Sequence, residues 1–191
     1  MTAKAIAGLL PDEAEVSGTV RFDGRDLLGL NDAEFAKIRG KKIGFVFQDP
    51  ARSLNPMMRI GRQVSEAIRI HTGLKGQAVT DKVVELLEQV QLPDPATLVR
   101  RYPHQLSGGQ QQRVMIAAAI SADPELLIAD EPTTALDVTV QAEILRLLIS
   151  LSEQRQMSVL FVSHDLGVIR YVCDRVTVIY GGHVAETGRV E

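Results

Sequence analysis

Two adjacent acids, Asp130 and Glu131, close the apolar run Leu126-Leu127-Ile128-Ala129 and are followed by Pro132. A short apolar run ended by a breaker reads as a buried strand of a parallel sheet, whose C-terminal end is where open α/β sheets place ligands. One acid there can hold Mg²⁺, directly or through water, and a second can orient or deprotonate an attacking water. A solvated acid leaving a buried strand is the plainer alternative. Leu106-Ser107-Gly108-Gly109-Gln110 is the second such stretch. Ser-x-x-Gln is a capping box. Two glycines in a first helical turn serve stability poorly, however, and they leave bare N–H groups at a positive helix terminus that suit phosphate. Gln48 leaves another apolar run, where a neutral amide can ligate Mg²⁺ or hold a water. His164, in Ser163-His164-Asp165, follows the apolar residues 158–162 and can hydrogen-bond a terminal phosphate oxygen or the attacking water. Asp137, in Thr134-Ala135-Leu136-Asp137, can cap the next helix or reach a partner surface.

These residues need elements to carry them. Apolar periodicity predicts helices over residues 2–10, 31–38, 60–72, 80–91, 108–122, 139–154 and 165–172, with Thr80 as a cap and no cap on the first. Strands are expected at 16–22, 43–47, 126–130, 158–162, 175–180 and 183–187, with turns at Asp23-Gly24 and Gly181-Gly182. The two prolines and the Asn of residues 48–56 argue for an irregular loop. Strands alternating with helices imply a parallel sheet with right-handed crossovers. No strand is expected between about 48 and 124, so that helical block reads as an inserted subdomain.

Composition narrows the function classes. The chain has 191 residues, 45% of them hydrophobic and 24% charged, enough for one globular domain. A formal charge of −3 gives no general attraction to nucleic acid, and 4% aromatic content without Trp argues against base-stacking platforms. Cys173 is the one cysteine, so no intrachain disulfide is possible. No apolar run is long enough to span a bilayer, and the N-terminus does not read as a signal peptide.

The ordered set resembles the nucleotide-binding domain of an ABC transporter. Leu106 to Gln110 match the signature LSGGQ, and Leu126 to Asp130 with Glu131 match Walker B and its glutamate. Gln48 matches the Q-loop, Thr134 to Asp137 the D-loop, and His164 the switch histidine. Phe47-Gln48-Asp49-Pro50, Ser53-Leu54-Asn55-Pro56 and Tyr102-Pro103-His104-Gln105 are similar to ATPase subunits of bacterial dipeptide, oligopeptide and nickel importers, peptide being favoured over nickel. The resemblance implies a RecA-like, parallel-sheet P-loop NTPase core of α/β class over residues 1–191, with a helical signature subdomain at 49–110. It implies two such domains closing head to tail on two Mg-ATP molecules. Ser107, Gly108, Gly109 and Gln110 would then cover the γ-phosphate held by the partner domain. Asp130 and Gln48 would serve Mg²⁺, Glu131 would polarise water, His164 would contact the γ-phosphate and Asp137 would line the seam. Implied partners are a second ATPase domain, membrane-spanning permease subunits and, indirectly, an extracytoplasmic substrate-binding protein. No nucleic acid is implied, and the location is the cytoplasmic face of the bacterial inner membrane.

One family motif has no match. Gly-x-x-x-x-Gly-Lys-Ser/Thr, the Walker A loop, is not found, and Gly40-Lys41 lacks the upstream glycine. Residues 1–10 resemble the helix that follows that loop, so the core is expected to be incomplete and to hold ATP poorly alone. Two alternatives are a non-catalytic partner that supplies only the signature, and a non-transport ABC ATPase. The latter calls for coiled coils or a basic face, which the sequence does not carry.

Overall fold

The computed structural model describes residues 1–11, 13–134 and 136–190. Helix α1, Thr2–Ile6, is shorter than expected because Gly8 turns to φ +61° ahead of Pro11, and Met1 gives it no side-chain cap. The strand expected at 16–22 reduces to β1, Arg21–Phe22, with Gly18 at φ +102° interrupting the extended run. It pairs antiparallel with β2, Arg25–Asp26, across the Asp23-Gly24 turn. Helix α2, Asp32–Phe35, opens with a capping box: the Asn31 side chain accepts from Glu34 N at 3.0 Å and Glu34 Oε2 accepts from Asn31 N.

Strand β3, Ile43–Val46, leads into the segment expected to be irregular. It instead contains a helical turn, α3, Pro50–Ser53. Asp49 accepts from Ala51 N and Arg52 N, and Pro50 sits in the first turn, where no donor is required of it. The proline that argued against a helix starts one. Helices α4, Ile60–His71, and α5, Gln77–Gln89, follow. Thr80 lies inside α5 and is not its cap; Gly76, at φ +58°, breaks the chain there and takes that position. A short helix the periodicity did not predict, α6, Pro95–Leu98, starts on Pro95. A 3-10 turn, Pro103–Gln105, then precedes α7, Gly108–Ala119. The rest are β4, Leu126–Asp130; α8, Val138–Arg155; β5, Ser158–Val162; α9, Leu166–Val172; β6, Arg175–Tyr180; and β7, His183–Arg189.

Strands β3, β4 and β5 form a parallel sheet in that order. Among the described residues β6 does not join it; β6 and β7 make a separate antiparallel hairpin. Their two-residue Gly181-Gly182 link permits only that arrangement, since parallel neighbours need a long crossover. The central strand β4 is covered on both faces, as a near-continuous apolar strand requires. Ile128 packs with Ala3, Leu27, Phe35 and Ile38 on one face. Leu127 and Ala129 alternate to the other, against Val114, Ile116 and Ile120 of the α7 region and Ile144 and Leu147 of α8. All three β4 residues are inaccessible to solvent. No helix among the described residues is long and apolar enough to cross a membrane.

Candidate functional site

Parallel register places the candidate residues together. Val46 pairs with Ala129 and Asp130 pairs with Val162, so the carboxyl ends of β3, β4 and β5 lie side by side. Gln48, Glu131 and His164 each come one or two residues past those ends. Glu131 then leaves the strand at φ 48°, a left-handed conformation that a side chain of this size rarely adopts. Its N–H donates to Val162 O at 3.0 Å, and Thr134 N donates back to Glu131 O at 3.2 Å, which closes a sharp turn.

The turn aims the Glu131 carboxylate into a ring of donors. Gln48 Nε2 donates to Oε2 at 2.8 Å, and the Thr134 hydroxyl donates to the same oxygen at 2.9 Å. His164 Nδ1 lies 3.3 Å from Oε1. Burial alone would raise the carboxyl's pKa. The Thr134 hydroxyl, His164 and the Gln48 amide outweigh burial and hold it below the ordinary carboxylate value. Thr134 was not among the residues the sequence assigned to the chemistry. Its position, three residues past the acid, is the signal that could have found it.

Asp130 sits beside this ring, in the last position of β4, and its carboxylate has neither hydrogen bond nor ion pair among the described residues. Gln48 engages Glu131 through its nitrogen, which leaves its amide oxygen an unused acceptor. One free carboxylate and one free amide oxygen suit Mg²⁺, which takes few protein ligands and fills its octahedron with water and phosphate oxygens. No group of three or more His, Cys, Asp or Glu gathers elsewhere among the described residues as a self-sufficient metal cage.

The signature residues form a second cluster. The Ser107 hydroxyl accepts from Gln110 N at 3.3 Å and Gln110 Oε1 accepts from Ser107 N at 3.1 Å, completing the capping box of α7. Gly109 also has a packing reason that the sequence did not carry: a Cβ there would fall 2.8 Å from Val140 Cγ1 of α8. A Cβ on Gly108 would meet nothing closer than Leu136 Cδ2 at 3.9 Å. Asp137 caps α8, accepting from Val140 N at 3.0 Å. No hydrogen bond among the described residues joins this cluster to Glu131, Gln48 or His164.

The ABC transporter family model matches residues 1–134, which is well over half of the chain. The chain belongs to that family. It is 50% identical over 178 residues to a Brucella abortus (strain 2308) protein named "Putative peptide import ATP-binding protein", covering 93% of this chain and 54% of that protein. It is 47% identical over 193 residues to the oligopeptide transport ATP-binding protein OppD of Bacillus subtilis (strain 168), covering 100% and 54%. It therefore spans about half the length of these relatives. The structure superposes on the dimeric, post-hydrolysis ATP-binding cassette MJ0796 bound to ADP and Pi. The TM-score there is 0.85 at 33% identity, with 100% of this chain and 79% of that one covered. The fold is thus the α/β, RecA-like core of the ABC ATPases.

Proposed function

We propose that this chain carries out ATP hydrolysis in an ABC importer of di- or oligopeptides. Convergence of Gln48, Thr134 and His164 on one carboxylate supports the ATPase reading most directly. The peptide class rests on the names of the relatives. Glu131 is the residue that polarises the attacking water, and its depressed pKa keeps it ionised and able to accept a proton at neutral pH. In the resting arrangement Gln48 occupies Oε2. Rotation of that amide frees the oxygen for water. Asp130 and the Gln48 amide oxygen would hold Mg²⁺, which when bound would supply charge neutralisation on the phosphate oxygens. His164, with its side chain 74% exposed, is placed to donate to the γ-phosphate once it turns from Glu131.

The other residues act across a dimer seam. Ser107, Gly108, Gly109 and Gln110 present the α7 N-terminus to a γ-phosphate held by a second ATPase domain, and Asp137 lines the seam. Residues 49–110 form the helical subdomain, which with Gln48 couples closure to membrane-spanning permease subunits at the cytoplasmic face of the membrane. An extracytoplasmic binding protein delivers the peptide. The test is ATP turnover by the full-length protein reconstituted with its membrane partners in vesicles. Stimulation by peptides delivered with their binding protein is expected; stimulation by nickel and not by peptides would overturn the substrate class.

A further inference from the structure

A cleft of about 290 Å³ lies between α4, α5 and residues 99–100, remote in sequence from the Glu131 ring. Four arginines line it: Arg59, Arg62, Arg69 and Arg100. The fold forces them together. Residues 62, 65 and 69 share one face of α4 by their spacing of three and four. Arg100 is drawn in because the start of α4 is bonded to its segment, Ile60 N donating to Arg101 O at 2.8 Å and Gly61 N to Val99 O at 3.0 Å. Gly61 permits that approach, since a Cβ there would lie 2.3 Å from Val99 Cγ1. Val79 and Val83, each 1% exposed, give the cleft an apolar floor from α5.

Cations without a carboxylate partner, such as Lys4, Arg21 and Arg146, occur elsewhere among the described residues, but in the cleft four of them converge. Arg25, Arg39, Lys42, Arg52, Lys82, Arg113 and Arg155 all have a carboxylate partner. Among the described residues none of the four cleft arginines has one, in a chain whose net charge is −3. The acids on the same helices do not line the cleft: Glu66 lies outside it, Asp81 accepts from Gln77 and Glu85 from Lys82. Two guanidinium groups are held in place. Arg69 Nε donates to the Ser65 hydroxyl at 3.1 Å, Ser65 being 2% exposed, and Arg59 lies over the Tyr102 ring at 5.8 Å. Arg62 and Arg100 keep their full donor forks, whose geometry fits phosphate in bidentate fashion. Thr80 adds a hydroxyl at the rim.

We propose that this cleft is a binding site for a small soluble phosphorylated compound, its phosphates on the arginines. The volume suits a ligand of small-metabolite size, and the site is independent of the ATPase assignment. Inorganic pyrophosphate is the probe. Calorimetric titration of the full chain should show saturable binding. Hydrogen exchange should show pyrophosphate protecting residues 59–69 and 79–83. Arg62→Gln with Arg100→Gln should weaken binding about a hundredfold, roughly tenfold per charged donor removed, with an unchanged melting temperature because both side chains are exposed. Arg100→Lys, which keeps the charge and loses the fork, should weaken it severalfold. Three results would each overturn the proposal. One is protection confined to residues 107–110. Another is undiminished binding by the double variant. The third is occupation of the cleft by a glutamate-rich peptide or an anionic lipid vesicle that pyrophosphate does not displace.

Discussion

Glu131 combines a strained backbone with a heavily used side chain, and its behaviour follows from the three groups around it. Thr134→Val removes the hydroxyl while keeping the shape. The Glu131 carboxyl should then titrate higher, and the acid limb of the ATP-turnover profile should move to higher pH. Turnover at neutral pH should fall roughly ten- to a hundredfold, the worth of one charged hydrogen bond. The same group links stability to pH. Its folded pKa lies below the unfolded value, so its contribution is complete above the unfolded carboxylate range and is lost as pH falls through the folded pKa. Removing the hydroxyl brings the folded pKa closer to the unfolded one, so melting temperature should fall less on acidification in Thr134→Val than in the native chain. Gln48, Glu131 and His164 were legible as candidates because each follows an apolar strand, and parallel strands bring equivalent ends together. Thr134 was not, because its reach to Oε2 depends on Glu131 adopting φ 48°, which no apolar pattern encodes.

At the level of elements, the paired glycines that open α7 separate two roles. Gly109→Ala forces a methyl against the branched Val140 and should cost about 1–3 kcal/mol by chemical denaturation. Gly108→Ala has open space and should change stability by less than about 0.5 kcal/mol. If the α7 N-terminus serves the γ-phosphate of a second domain, Gly108→Ala should still slow ATP turnover in the assembled protein. Equal turnover by Gly108→Ala and the native protein would remove that role. Strands β4, β5 and β6 were legible to their end residues because each is a compact apolar run. Helices α3 and α6 were not: both are single turns that begin on a proline, too short for apolar periodicity to show, and in residues 48–56 proline counted as a breaker and not as a first helical residue.

At the scale of the whole molecule, the parallel sheet stops at β5, which among the described residues has no strand beyond it. Leu160 there is 36% exposed, and Ile179, Tyr180 and Val184 of the β6–β7 hairpin are more so. Open edges and apolar side chains of this kind favour association. The isolated 191-residue chain should therefore elute in gel filtration as concentration-dependent oligomers; a monomer at every concentration would show these surfaces to be tolerated. The fold class was legible from strand–helix alternation. The separation of the hairpin from the sheet was not, since local pattern specifies a strand without specifying its neighbour. Organisation of the site around Glu131 is tested by Glu131→Gln in the full-length protein, with ATP binding and ATP turnover measured on the same preparation. Turnover should fall at least about a hundredfold, as loss of a general base requires, while ATP affinity stays within about threefold of native, a difference under roughly 1 kcal/mol. Turnover within a few-fold of native would contradict the assignment of Glu131 as the residue that activates water.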